Sequence, residues 1–139
     1  MAFSSEHPPQ FAADDPLIAR LREIALALPD ASELETWGRP NFRVNQRIFL
    51  IAGLGNGARA SVWFKPDADE RPALLQQPGF FTPRYFGSKG WLALDLADDP
   101  AAVDWTLVAE LADTSYRLIA LKRQVAVLDA RASARPDER

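Results

Sequence analysis

Apolar residues recur with a helical period at both ends of the chain and with a period of two between them. Leu17, Ile18, Leu21, Ile24, Ala25 and Leu28 fall on one helical face. Asp15 supplies an N-cap, Pro16 suits the first helical position and Pro29 ends the run, so a helix is predicted over 16–28. Asp104 opens a second, longer pattern: Leu107, Val108, Leu111, Ala112, Ser115, Leu118, Ile119 and Lys122, with Asp113-Thr114-Ser115 as the place where the helix can break. Between the two helices, alternation predicts strands over 32–37, 41–44, 46–52, 58–65 and 91–96, and a short one at 80–82. Gly38-Arg39-Pro40 and the run 53–57 are the turns, the latter rich in residues that tolerate positive φ. A short helix capped by Asp69 is predicted to run to Gln77, with Pro72 confined to its first turn. The stretch from Pro83 to Trp91 holds a proline and two glycines and reads as a shaped loop delivering Trp91 into a strand.

This order of helix, strands, short helix, strands and long C-terminal helix specifies an α+β fold. It predicts two layers, an antiparallel sheet with the helices packed on one face. One domain is expected over 14–128, between a loose tail at 1–13 and a charged tail at 129–139. Strict alternation puts Val44, Ile48, Leu50, Val62, Phe64, Leu92 and Leu94 on the packed face. It puts Arg43, Arg47, Phe49, Arg59, Trp63, Lys65 and Trp91 on the other, provided that no bulge shifts the register.

Composition removes several chemistries. None of the 139 residues is a cysteine, which excludes disulfides, zinc–thiolate sites and cysteine nucleophiles. The single histidine, His7, lies in the N-terminal tail, so no core imidazole can act as a general base. Gly87-Ser88-Lys89-Gly90 lacks the spacing and the following helix of a phosphate loop. The carboxylates are scattered, and Asp67, Asp69, Glu70, Asp98 and Asp99 stand at helix starts, where capping accounts for them. The expectation is a protein without catalytic residues, cofactor or metal. Met1–Phe11 has neither the basic nor the apolar part of a signal peptide and no run is long enough to span a bilayer, so no membrane association and a cytoplasmic location are expected.

Charge adds a direction. The net charge is −3, but residues 1–30 hold five acids against two bases, and 97–139 hold eight against six. Thr36–Pro66 carries Arg39, Arg43, Arg47, Arg59 and Lys65 and no acid; Arg84 and Lys89 lie in a second acid-free stretch between Arg71 and Leu94. The middle of the chain is basic and its ends are acidic.

Three pieces of sequence resemble the MmcQ/YjbR-like family. They are Trp37-Gly38-Arg39-Pro40-Asn41-Phe42-Arg43-Val44 with Arg47-Ile48-Phe49, then Pro83-x-Tyr85-x-Gly87-x-x-Gly90-Trp91, then Ser115-Tyr116-Arg117-Leu118. They occur in the family's order and cover about residues 15–122. The resemblance implies a compact α+β domain similar to CyaY and secretion-chaperone folds, DNA binding as the usual label, and no catalytic residues. Some relatives carry formyltransferase labels; that chemistry relies on a core histidine, which this chain lacks. Arg47 stands where the family commonly has Lys, and the charged tail past Asp129 is longer than usual.

The basic and aromatic residues of the middle then define the expected site. Arg39, Arg43, Arg47, Arg59, Lys65, Arg84 and Lys89 would contact phosphates, while Trp63 and Trp91 would stack bases. The expected partner is DNA or RNA, bound weakly and in a salt-sensitive way. The alternative is a protein partner or self-association, because Trp and Arg are also enriched at protein interfaces.

Overall fold

The computed structural model describes residues 8–55 and 59–134. Helix α1 (Pro16–Leu26) leads into strands β1 (Ser32–Thr36), β2 (Arg39–Val44), β3 (Arg47–Leu54) and β4 (Ala60–Phe64). A short helix α2 (Arg71–Leu75) and strand β5 (Phe80–Phe81) follow, then a 3-10 turn over Phe86–Lys89, strand β6 (Leu92–Asp95), and helices α3 (Trp105–Ile119) and α4 (Lys122–Ser133). The strands form one antiparallel sheet in the order β1-β2-β3-β4-β6-β5. The α+β architecture is the one that the hydrophobic pattern specifies.

The helix starts follow their caps. The Asp15 carboxylate accepts from the N–H groups of Leu17 (2.8 Å) and Ile18 (3.4 Å), and α1 buries Leu17, Ile18, Leu21 and Ala25. Arg22 on the same helix grips Glu33 of β1 through two hydrogen bonds, 2.6 and 3.0 Å. Asp104 caps α3 through the Leu107 N–H, and α3 buries Val108, Leu111, Ala112, Ser115, Tyr116 and Ile119. The helix-side row of the sheet runs Phe42–Leu50–Phe64–Leu92, with Val62 and Leu94 beside it. All six are buried, which puts the core between the sheet and α1 and α3.

Several local expectations shift. The first hairpin turn is Trp37-Gly38, both at positive φ (55° and 78°), so β2 begins at Arg39 and contains Pro40. A two-residue loop with both φ positive matches the right-handed twist of its strands. A Cβ on Gly38 would lie 2.3 Å from the Pro8 carbonyl oxygen, while Gln10 N–H donates to Gly38 C=O (2.8 Å). Pro8 and Gln10 therefore lie against the hairpin, and residues 1–7 of the expected tail lie outside the described residues. Helix α2 takes Glu70 as N-cap residue in place of Asp69, and Asp67 instead accepts from the Asp69 N–H. The turn expected at 53–57 starts later, since β3 continues to Leu54, and 56–58 lie outside the described residues.

The long C-terminal helix breaks at Ala120-Leu121, not at 113–115, where Asp113 instead pairs with Arg117 one turn on. The break is made by Gln124. Its Oε1 accepts from the N–H of Leu121 (2.9 Å) and from Asn45 Nδ2 (2.7 Å), and its Nε2 donates to Asp30 and Asn45 (3.0 Å each). One buried amide thus joins the helix break to two chain reversals at positive φ, Asp30 and Asn45-Gln46. Helix α4 then runs to Ser133, taking in the first five residues of the stretch expected as tail.

The largest departure is in β3. Phe42 pairs with Leu50 but Arg43 pairs with Ile48, so Phe49 is an extra residue in a bulge. The bulge reverses the parity on either side of it. Phe49 turns to the helices, edge-on to Tyr116 at 5.4 Å, while Ile48 turns to the far face; both were expected the other way round. Arg47 pairs with Val44 and so shares the helix side. The carbonyl that the bulge displaces from the ladder is satisfied by Ser115, whose Oγ donates to Phe49 C=O (2.6 Å) and accepts from Lys65 N–H (2.9 Å). Tyr116 donates its hydroxyl to Pro29 C=O (2.6 Å), and burial first, with the Asp30 carboxylate second, raises its phenol above the ordinary value. Ser115-Tyr116 is thus a structural clamp.

Candidate functional site

The helices leave the second face of the sheet uncovered. One row crosses all six strands there: Leu34, Asn41, Ile51, Trp63, Ala93 and Phe81. Gly53 lets Trp63 lie across β3. A Cβ at residue 53 would sit 2.8 Å from the indole carbons, and the indole N–H donates to Ser61 Oγ (2.9 Å), which donates on to Gly53 C=O. Phe86, on the 3-10 turn, folds back over this face edge-on to Trp63 (5.9 Å) and Trp91 (5.1 Å). Both tryptophans are consequently buried, 4% and 6% exposed. They build the wall of the site and present no ring to a base, which corrects the stacking role expected for them.

Among the described residues, the exposed rings are two others. Trp37 is 64% exposed and Tyr85 75%. Both hold positive φ, a region costly for side chains with a Cβ. Tyr85 (φ 69°, ψ −56°) is the centre of a γ-turn closed by Phe86 N–H to Arg84 C=O (2.7 Å), the rare strained form of that turn. Arg84 lies over the Tyr85 ring at 5.6 Å. Strained residues of this kind concentrate where a side chain must be presented.

Between Trp37 and Phe86 lies a cavity of about 200 Å³, lined also by Thr36, Arg39, Asn41, Ile48 and Ile51. The bulge supplies its floor by turning Ile48 outward beside Ile51. Arg39 stacks its guanidinium on Trp63 at 4.8 Å, and its Nε, shielded from solvent, has no hydrogen-bond partner. Arg43 donates to Asn41 Oδ1 (2.8 Å) and Thr36 Oγ1 (3.3 Å). Asn41 Nδ2 donates to Thr36 Oγ1 and Arg39 C=O.

The other expected site residues divide. Arg84 and Lys89 are exposed on the turn that carries Phe86. Lys65 is half-buried, one residue past β4 on the Trp63 side. Arg47 begins β3 and Arg59 follows its far end, so a strand of eight residues, roughly 25 Å at about 3.3 Å per residue, separates them. No single patch contains both. Among the described residues, no three histidine or acidic side chains converge on a point that could hold a metal ion, and no helix is long and apolar enough to cross a membrane.

A model of the YjbR family matches residues 26–118, which include all six strands and nearly all of α3. The chain belongs to the YjbR family. No curated protein matches it. The YjbR segment contains the bulge, the Ser115–Tyr116 clamp and every residue lining the cavity. Sequence reasoning missed Trp37 and Tyr85 as presented rings. For Trp37 a signal existed, since an X-Gly pair between two alternating runs is a hairpin turn and would have moved Trp37 out of the strand. For Tyr85 nothing local marks the γ-turn.

Proposed function

We propose that this YjbR protein is a non-enzymatic binder of single-stranded nucleic acid, using Trp37, Arg39, Arg43, Arg84, Tyr85 and Lys89. The observation that carries this reading is that two exposed rings are held at positive φ: Trp37, which lines the cavity with Arg39, and Tyr85, the chain neighbour of the lining residue Phe86. Exposed rings stack on bases irrespective of sequence, and the arginines and lysine meet phosphates. The net charge of −3 opposes long-range attraction, so affinity is no better than about micromolar at physiological salt.

The test is titration of a labelled single strand at several salt concentrations. Four phosphate contacts, from Arg39, Arg43, Arg84 and Lys89, give a slope of log K against log salt of about −3, at roughly −0.7 per contact. Replacing Arg84 and Lys89 by Ala together flattens it by about 1.4. Arg47→Ala, on the helix side, leaves it unchanged. No binding at about 50 mM salt, or a full slope retained by the double variant, ends the proposal.

A second reading, a protein-interaction module, draws on a different feature. A groove of about 500 Å³ runs between α1, α3 and α4, lined by Ile24, Leu28 and Leu128 and rimmed by Arg117 and Arg131. A partner or second copy bound there would bury this groove and leave Trp37 exposed.

A further inference from the structure

We infer that the distal turns of α4 form a salt-releasable strap over the groove between α1 and α3, opening while the rest of the fold stays intact. The two ends of the helix are held differently. Gln124, in the first turn, is the one fully buried residue of α4, and its bonds to Asn45 and Asp30 pin that turn to two chain reversals. Beyond it only Val125 and Leu128 are half-buried, and the other residues from Ala126 to Ser133 are exposed. Leu128 and Ala132 form the α4 wall of the groove of about 500 Å³, across from Ile24, Leu28 and Ala109. An element that buries so little apolar surface opens at low free energy.

The ties that remain are polar. Arg117 of α3 reaches Asp129 at 2.8 Å, and Arg131 donates to the C=O of Ala27, the C-cap residue of α1, at 2.7 Å. Helix α1 has no base in its own last turn, so Arg131 supplies the cation that the carbonyl end of a helix attracts. Arg117, Asp129 and Arg131 are all exposed, so salt weakens both ties. When Asp129 leaves, Arg117 keeps its bond to Asp113 on its own helix, and release leaves no buried charge unpaired. Opening removes the α4 wall and presents Ile24 and Leu28 more fully. The device is independent of what either surface binds.

Hydrogen exchange of the full chain reads this opening, because a helix this short is not stable once released into water. Corrected for intrinsic rates, amides 127–133 should exchange about a hundredfold faster than amides 111–116 of α3, as local opening outruns global unfolding. Raising salt from about 50 mM to about 500 mM should speed amides 127–133 about threefold to tenfold without speeding those of α3. Asp129→Asn combined with Arg131→Ala should bring the low-salt rate up to the high-salt rate of the unaltered protein and remove most of the salt response. Protection of α4 equal to that of α3, α4 exchange that salt does not alter, or a double variant that keeps the full salt response would overturn the inference.

Discussion

Replacing Trp37 separates the cost of its backbone from the value of its ring. A side chain at φ 55° costs about 1–2 kcal/mol relative to an unstrained position. Asn carries much less of that cost, and Asn-Gly is the preferred pair for this turn. Against this stands lost burial. Trp37 is 64% exposed. The hidden third of a side chain of about 200 Å² is ~70 Å², or about 1.7 kcal/mol at 25 cal/mol/Å². Trp37→Ala loses the burial and keeps the strain, so it should destabilise by about 2 kcal/mol. Trp37→Asn loses the same burial but gains back most of the strain, so its net change should be within about 0.5 kcal/mol of zero. Urea unfolding at pH 7 measures both, and thermal unfolding should separate them by about 3–6 °C. Equal stabilities of the two variants would mean that the turn is not strained by its tryptophan. A loss above about 2 kcal/mol for Trp37→Asn would make Trp37 a packing residue and remove the argument that it is held out for a ligand.

Two further outcomes test the clamp behind the sheet. Ser115→Ala strands the Phe49 carbonyl and the Lys65 N–H together and should cost about 3 kcal/mol by urea unfolding, where an isolated serine hydroxyl would cost about 1. Tyr116→Phe removes the bond to Pro29 and should cost about 1 kcal/mol at pH 7. Because burial and Asp30 raise the folded phenol's pKa, the unfolded chain ionises first, near pH 10. The native protein therefore keeps this stabilisation below about pH 10 and loses it as pH rises through the folded value; unfolding titrations from pH 9 to 11 should show a shallower decline for Tyr116→Phe.

How far the chain could be read depended on whether the signal was local. Asp15-Pro16 and Asp104 mark helix starts through groups two or three residues away, and both starts are where their caps put them. The alternation in 60–64 and 92–95 also held, because those strands pair without interruption. What escaped was set from a distance. The bulge at Phe49 is stabilised by a serine 66 residues on. The α3–α4 break depends on an amide paired with Asn45, 79 residues away. Trp63 and Trp91 alternate with charged residues as exposed rings would, and only the return of Phe86 over them makes them interior. The basic stretch was legible as a composition, but the sheet distributes Arg47 and Arg59 to opposite ends of one strand.

The Phe49 bulge gives β3 two phases. Ile48 and Ile51, three positions apart, share a face that an uninterrupted strand would deny them. In an unbroken ladder, Phe49 would take the place of Ile48 on that face and its ring would plug the hollow. The hollow is thus a by-product of a register choice made on the opposite side of the sheet. Ser115 touches no ligand, yet it holds the switch between a sheet with a socket and a sheet without one.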